Sequence, residues 1–281
     1  MALTTTKHLL ADAYRNRYAV AAFAAHNLEM MKAVVEAAEE SGAPVILQTT
    51  PATIRYAGLG AIVAMARAAA EGAKVPVALH LDHGDTFETV VRCLRAGYTS
   101  VMVDGSRLPF AENAAFTAKV TEAAHAAGVP VEAELGTIGG AEDDVTGDEE
   151  GLTDPGAAEE FVRRTGIDFL APAFGTAHGV YKGEIRLDLS LLESISRRVG
   201  LPLVMHGASG VPEELLRRAI ARGVSKVNFS TELKQAFARH LRTYLADHPG
   251  EIDPRRMLLP AREAVKQVAK RKIEMVSGVV P

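Results

Sequence analysis

Eight short apolar runs of β character recur along the chain: AVAAFA (19–24), PVILQT (44–49), VPVALH (75–80), TSVMVD (99–104), VPVEAEL (129–135), DFLAPAF (168–174), LPLVMH (201–206) and KVNF (226–229). Each is followed by a segment long enough for a helix. Apolar residues fall at helical spacing in NLEMMKAVVEAAEES (27–41), AENAAFTAKVTEAAHAAG (111–128) and VPEELLRRAIARG (211–223). Asn27, Thr86 and Ser230 suit helix N-caps, and Gly42, Gly97, Gly128 and Gly223 stand where helices should stop. Strands that are apolar without strict alternation are those covered on both faces, as in parallel sheets. Strand and helix alternating eight times therefore predict an α/β fold, a closed (β/α)8 barrel of the TIM type, as one domain over residues 1–281. An open doubly wound sheet is the runner-up. It needs a glycine-rich loop after the first strand, and AAFAAHNLE has no glycine.

Composition narrows the function classes. The 281 residues carry a net charge of −4, with no Lys/Arg cluster interleaved with aromatics, so nucleic acid is not an expected partner. No segment approaches the about 18 uninterrupted apolar residues of a membrane span. A single cysteine, Cys93, excludes an internal disulfide framework and suits a reducing compartment, so a cytoplasmic protein is expected.

In a (β/α)8 barrel the chemistry gathers at the C-terminal ends of the strands. Those ends here present His26 and Asn27, Thr49 and Thr50, His80, Asp82 and His83, Asp104 and Ser106, Glu132 and Glu134, His178, His206 and Asn228. A lone histidine at a strand end is more often a hydrogen-bonded structural residue than a ligand. Of the nine histidines, His8, His125, His240 and His248 fall in helical or exposed segments, whereas His83, His178 and His206 follow three different strands. Three imidazoles converging at one mouth would leave an open metal position, the arrangement of catalytic zinc. The small residues beside them point to an anion. Gly179, the run Gly207, Ala208 and Ser209, and the run Asn228, Phe229, Ser230 and Thr231 opening the last helix would bring backbone N–H groups and a helix N-terminus to a phosphate. The segment GTIGGAEDDVTGDEEGLTD (136–154) is acidic, glycine-rich and aperiodic, and is expected to be a mobile loop.

The motifs LHLDHG (79–84), VEAELGTIGGAEDD (131–144), GTAHGVYKG (175–183), PLVMHGASG (202–210) and KVNFSTELK (226–234) resemble, in this order, the class II metal-dependent ketose-bisphosphate aldolases. HGAS followed by TELK is most similar to the tagatose-1,6-bisphosphate members; LHLDHG and AELGTIGG occur equally in fructose-1,6-bisphosphate members. The resemblance implies a lyase that splits a ketose bisphosphate into dihydroxyacetone phosphate and glyceraldehyde 3-phosphate. It implies Zn2+ held by His83, His178 and His206, with Glu134 as an alternative ligand. Asp82 becomes the acid/base at the C4 oxygen and Glu142 the group that moves the proton on the triose carbon. Thr50, Gly179, Gly207, Ala208, Ser209, Asn228, Phe229, Ser230 and Thr231 become substrate contacts. A monovalent cation (Na+ or K+) and a homodimer or homotetramer are further implications. One departure stands out: where many relatives have Asn in AFN, this chain has Ala24.

Three other readings stay open at this level. A Schiff-base aldolase would use Lys226, a lysine carried on a strand. Barrel-mouth histidines also serve metal-dependent hydrolases. A non-catalytic phosphosugar-binding subunit would keep the anion sites without turnover.

Overall fold

The structure, a computed structural model, describes residues 3–142, 145–147, 151–181 and 183–278. Its strands are β1 (Val20–Ala24), β2 (Val45–Thr49), β3 (Val77–Gly84), β4 (Ser100–Val103), β5 (Val131–Leu135), β6 (Gly139–Glu142), β7 (Val145–Gly147), β8 (Phe169–Pro172), β9 (Ala177–His178), β10 (Leu203–Met205) and β11 (Val224–Phe229). The helices are α1 (Thr6–Asn16), α2 (Leu28–Ser41), α3 (Pro51–Ala57), α4 (Leu59–Ala70), α5 (Phe87–Ala96), α6 (Phe110–Ala126), α7 (Pro155–Thr165), α8 (Leu189–Val199), α9 (Glu213–Ile220), α10 (Thr231–Asp247) and α11 (Pro254–Ser277). All eight apolar runs become strands of one closed parallel barrel, in the order β1-β2-β3-β4-β5-β8-β10-β11 and back to β1. The (β/α)8 expectation holds. No helix among the described residues is long and apolar enough to cross a membrane.

Every residue of these eight strands is buried, because alternate side chains face the helices and the barrel interior. Facing inward, Val20, Ala22, Ile46, Ala78, Phe169, Ala171 and Val204 form an apolar floor with Leu10 and Ala13 of α1. The strand repeat does not announce α1. It precedes β1 and closes the N-terminal end of the barrel from below. Above that floor the inward side chains become polar: Gln48, His80, Asp82, Ser100, Glu132, Lys226 and Asn228 are all buried.

Helix ends follow the expected chemistry at most positions. Asn27 and Thr86 accept hydrogen bonds from the N–H groups of Met30 and Thr89, and Gly42 and Gly97 end α2 and α5 in the left-handed conformation. Ser230 is different: it precedes α10 without a capping bond.

Two further expectations need correction. His83 does not follow a strand but lies within one: β3 runs to Gly84, and His83 takes a left-handed φ of 49° where the pairing with β4 shifts register. Segment 136–154 is not structureless. Within it β6 and β7 form an antiparallel pair, and β6 pairs in parallel with β9, Gly139 opposite Ala177 and Gly140 opposite His178. Gly140 sits at a φ of 85°, and a Cβ there would collide with the His178 carbonyl. Gly140 therefore lets the hairpin lie directly on the strand carrying His178.

Lys226 and Glu132 meet inside the barrel at 2.8 Å, both fully buried. Removing one member of such a pair leaves an uncompensated charge. Lys226→Met should lower stability by about 3–5 kcal/mol, and Lys226→Met/Glu132→Leu should recover most of that loss; urea unfolding of the two variants measures both.

Candidate active site

At the C-terminal end of the barrel, His83 of β3, His178 of β9 and His206, directly after β10, turn toward one point. Their ring centroids are separated by 4.9 Å (His83 to His206), 5.1 Å (His83 to His178) and 5.7 Å (His178 to His206). One nitrogen of each lies within 4.8 Å of the others, and all three rings are buried. Hydrogen bonds decide which nitrogens face inward. His83 Nδ1 donates to Asp104 Oδ2 at 2.7 Å, and Asp104 is itself fixed by the N–H and hydroxyl of Ser106. His206 Nε2 donates to Glu132 Oε1 at 2.8 Å. His83 Nε2 and His206 Nδ1 are left buried without hydrogen-bond partners among the described residues. Orphaned lone pairs in a dry site suit a divalent cation, and carboxylates behind the rings are the usual support of zinc-binding histidines.

The surrounding charges favour a cation as well. Burial opposes charge on His83, yet Asp82 and Asp104 outweigh it and hold its proton affinity well above the ordinary value. His178 goes the other way, pushed well below by burial and by the neighbouring His83 and His206. Burial and the adjacent Asp104 raise Glu134 well above the usual carboxylate range. Its Oε2 lies 3.9 Å from His83 Nδ1, and His83, Asp104 and Glu134 form a second cluster of potential ligands.

Below the histidines lies a continuous polar network. Lys226 Nζ donates to Glu132 Oε2 at 2.8 Å and, at 3.3 Å, to His80 Nε2. Burial would raise the Glu132 carboxyl, but the Lys226 charge and the His206 bond hold it below the usual range. His80 is pushed down to about 3 by burial and by Lys226. It is therefore neutral, and its Nδ1 donates to Ser100 Oγ at 2.8 Å. Asp82 is fully buried beside this network, accepting from Gln48 Nε2 at 2.8 Å and lying 3.4 Å from Asn228 Nδ2.

The small-residue segments gather on the β10 and β11 side of the mouth. Ser209 Oγ accepts from the Ser230 N–H at 3.3 Å, and Ser230 Oγ is buried with no partner among the described residues. Ala208 is buried against Asn228, its N–H on the Asn228 carbonyl. Thr231 opens the 17-residue α10, and Gly179 follows β9 with a φ of 86°. Gly207 has a packing role too: at a φ of 64°, a Cβ would collide with the Ala177 carbonyl, and its own carbonyl accepts from the Tyr181 hydroxyl. Phe229 turns its ring away from the mouth, stacking it on Phe23 at 5.7 Å in the core between sheet and helices. The side chain of Glu142 lies outside the described residues; its backbone ends β6.

Thr50, directly after β2, caps α3 by accepting from the Thr53 N–H and also lines a cavity of about 300 Å³ beside His83. Arg55, Asp104, Arg107 and Phe116 line the same cavity. Sequence reading named Asp104 and Glu132 only as polar groups at strand ends and did not name Arg55, Arg107 or Gln48; Arg55 falls in the short α3 and Arg107 in the turn after β4, with no periodicity to flag either.

The family model for class II fructose-bisphosphate aldolase matches residues 4–279. The fructose-bisphosphate aldolase of Geobacillus stearothermophilus is 47% identical over 269 residues, covering 95% of this chain and 94% of that relative. The probable fructose-bisphosphate aldolase of Bacillus subtilis (strain 168) is 47% identical over 276 residues, 97% of each chain. Among solved structures, the YdjI aldolase from Escherichia coli K12 superposes with a TM-score of 0.87 at 34% identity, over 99% of this chain and 98% of that one. The chain belongs to the class II fructose-bisphosphate aldolase family, and is accordingly a lyase, a metal-dependent ketose-bisphosphate aldolase.

If the orphaned imidazole nitrogens hold the metal, His206→Ala should leave the purified protein with little bound metal. Glu132→Gln, which weakens the bond behind His206, should lower metal affinity by about 10- to 100-fold. Elemental analysis and chelator competition on the two variants check both.

Proposed function

We propose that the chain cleaves fructose 1,6-bisphosphate reversibly into dihydroxyacetone phosphate and glyceraldehyde 3-phosphate, with Zn2+ held by His83, His178 and His206. The observation that carries this reading is the convergence of three buried imidazoles within 4.8 Å of one another. Asp82 lies one residue from the first of them. The HGAS and TELK motifs favour tagatose 1,6-bisphosphate, but relatives at 46–47% identity bear fructose names, which supports fructose as the preferred sugar. The two sugars differ only in configuration at C4.

When bound, zinc supplies Lewis-acid stabilisation of the negative charge that develops at the ketose carbonyl oxygen, worth several kcal/mol. The remaining work falls to side chains and backbone. Asp82 takes the proton of the C4 hydroxyl as the C3–C4 bond breaks, so that C4 leaves as the aldehyde carbon. Glu142 then delivers a proton to C3 of the triose, which closes the electron count. Ser209, Ser230, the backbone of Gly207 and Gly179, and the N-terminus of α10 hold the phosphate of the dihydroxyacetone half.

The second phosphate has a place on the other rim. In the barrel order β4, which leads to Arg107, lies opposite β11, and β2, which leads to Arg55, lies a quarter turn from it; both arginines line one cavity beside His83. An extended bisphosphate would span that distance with its carbonyl over the histidines, and the two guanidinium groups suit a phosphate.

The Schiff-base reading loses support from the position of Lys226. Its ammonium is fully buried beneath the histidines and engaged by Glu132 and His80. Borohydride with substrate should therefore leave no adduct on Lys226, while chelator should abolish cleavage. Asp82→Ala should keep its metal yet lose turnover by about 10²- to 10⁴-fold. Measured kcat/KM should favour fructose over tagatose 1,6-bisphosphate. Cleavage that survives metal removal would end this reading, and a preference for tagatose 1,6-bisphosphate would overturn its choice of sugar.

A further inference from the structure

We infer that Gln48 is the positioning residue for Asp82, and that it leaves Oδ1 as the oxygen that receives the substrate proton. The inference rests on the acid/base role given to Asp82 above. It concerns a residue of β2 that neither the motifs nor the family resemblance singles out.

A buried carboxylate can act as a base only if it stays charged and is held in one orientation. Among the described residues, two side-chain donors reach Asp82. Gln48 Nε2 is at 2.8 Å from Oδ2, a full hydrogen bond, whereas Asn228 Nδ2 is at 3.4 Å from Oδ1 and equally near, at 3.3 Å, to His206 Nε2. The glutamine bond is the stronger tether. It occupies Oδ2 and turns Oδ1 toward β11, the side where the dihydroxyacetone half is held.

The neighbourhood explains why the amide comes from β2. Gln48 is paired in register with Ala24 of β1 on one side and with His80 of β3 on the other. Ala24 is buried and presents only a methyl group, at the position where many relatives carry Asn. An amide starting from β2 is one strand nearer to Asp82.

A second feature points to a ligand. The bond to an ionised carboxylate requires the NH2 group of Gln48 to face Asp82, so Oε1 faces away. That oxygen is buried with no partner among the described residues, on a side chain only 1% exposed. A hydroxyl of the sugar beside Asp82 would supply the missing donor. Gln48 would then set the acid/base and the substrate hydroxyls in one frame.

The test uses the metal-loaded enzyme and two reactions. Cleavage needs Asp82; exchange of the carbon-bound hydrogen of dihydroxyacetone phosphate with D2O does not. Gln48→Leu should lower kcat for cleavage by about 10- to 100-fold, with exchange held within about 2-fold and metal content unchanged. Adding Ala24→Asn to Gln48→Leu, which returns an amide from β1, should recover most of the lost kcat. Unchanged cleavage in Gln48→Leu would overturn the inference, as would a joint fall of cleavage and exchange that the added Ala24→Asn does not reverse. A wild-type enzyme that cleaves without exchanging the hydrogen would instead overturn the role given to the triose proton transfer, leaving the kcat comparison for Gln48 standing.

Discussion

One ion pair inside the barrel, Lys226 with Glu132, sets the arrangement of everything above and beneath it. Two charges removed from water cost several kcal/mol each unless geometry and further hydrogen bonds compensate. Here the compensation is also information. Lys226 can only donate, so the His80 nitrogen facing it must be an acceptor, and the opposite nitrogen must carry the proton given to Ser100. Thr6 of α1 donates to that same Ser100 oxygen at 2.8 Å, so the network runs down to the helix that closes the floor. On its other side Glu132 can only accept, which puts the His206 proton on Nε2 and the lone pair of Nδ1 toward the mouth. One buried ion pair thereby fixes the tautomers of two histidines.

His83 is handled by a separate device with the same logic. Asp104 takes its Nδ1 proton, and the left-handed backbone at His83 aims Nε2 at the other rings. A non-glycine residue in that conformation carries a local cost that the surrounding structure must sustain. β3 sustains it by being paired on both sides up to the register shift. The result is a pocket where carboxylates stand behind the imidazoles rather than in front of them. The field draws a cation in, and the lone pairs receive it.

The barrel was legible in the sequence because its strands are buried on both faces and so read as apolar runs, each ended by polar residues. His178 and His206 could be placed at the mouth for the same reason. What escaped was set by contacts between distant segments. Segment 136–154 looks like loop by composition, and it is strand only because Gly139 and Gly140 can lie against β9. LHLDHG reads as a strand followed by a loop because its polar residues break the apolar run; they remain in the strand because the barrel interior at that height is itself polar. Phe229 sits among small residues in sequence, yet alternation along β11 sends its ring outward while Asn228 points in. Gln48 hid within an apolar run, where a single amide carries no pattern.

The pairing of β6 with β9 has a consequence for the order of events at the site. Gly140 stands opposite His178, and Glu142 follows two residues later on the same strand. The segment bearing the proposed proton carrier is thus tied by main-chain pairing to the strand bearing a proposed metal ligand. Gly207, after His206, packs on the other side of β9, against Ala177. The strand of His178 is therefore clamped between the hairpin and the loop proposed to hold the anion. Glycine at both contacts allows approach distances that any side chain would forbid. The strand of His178, the loop after His206 and the β6 backbone are consequently built as one packed unit, whereas Asp82 and Gln48 belong to the barrel wall.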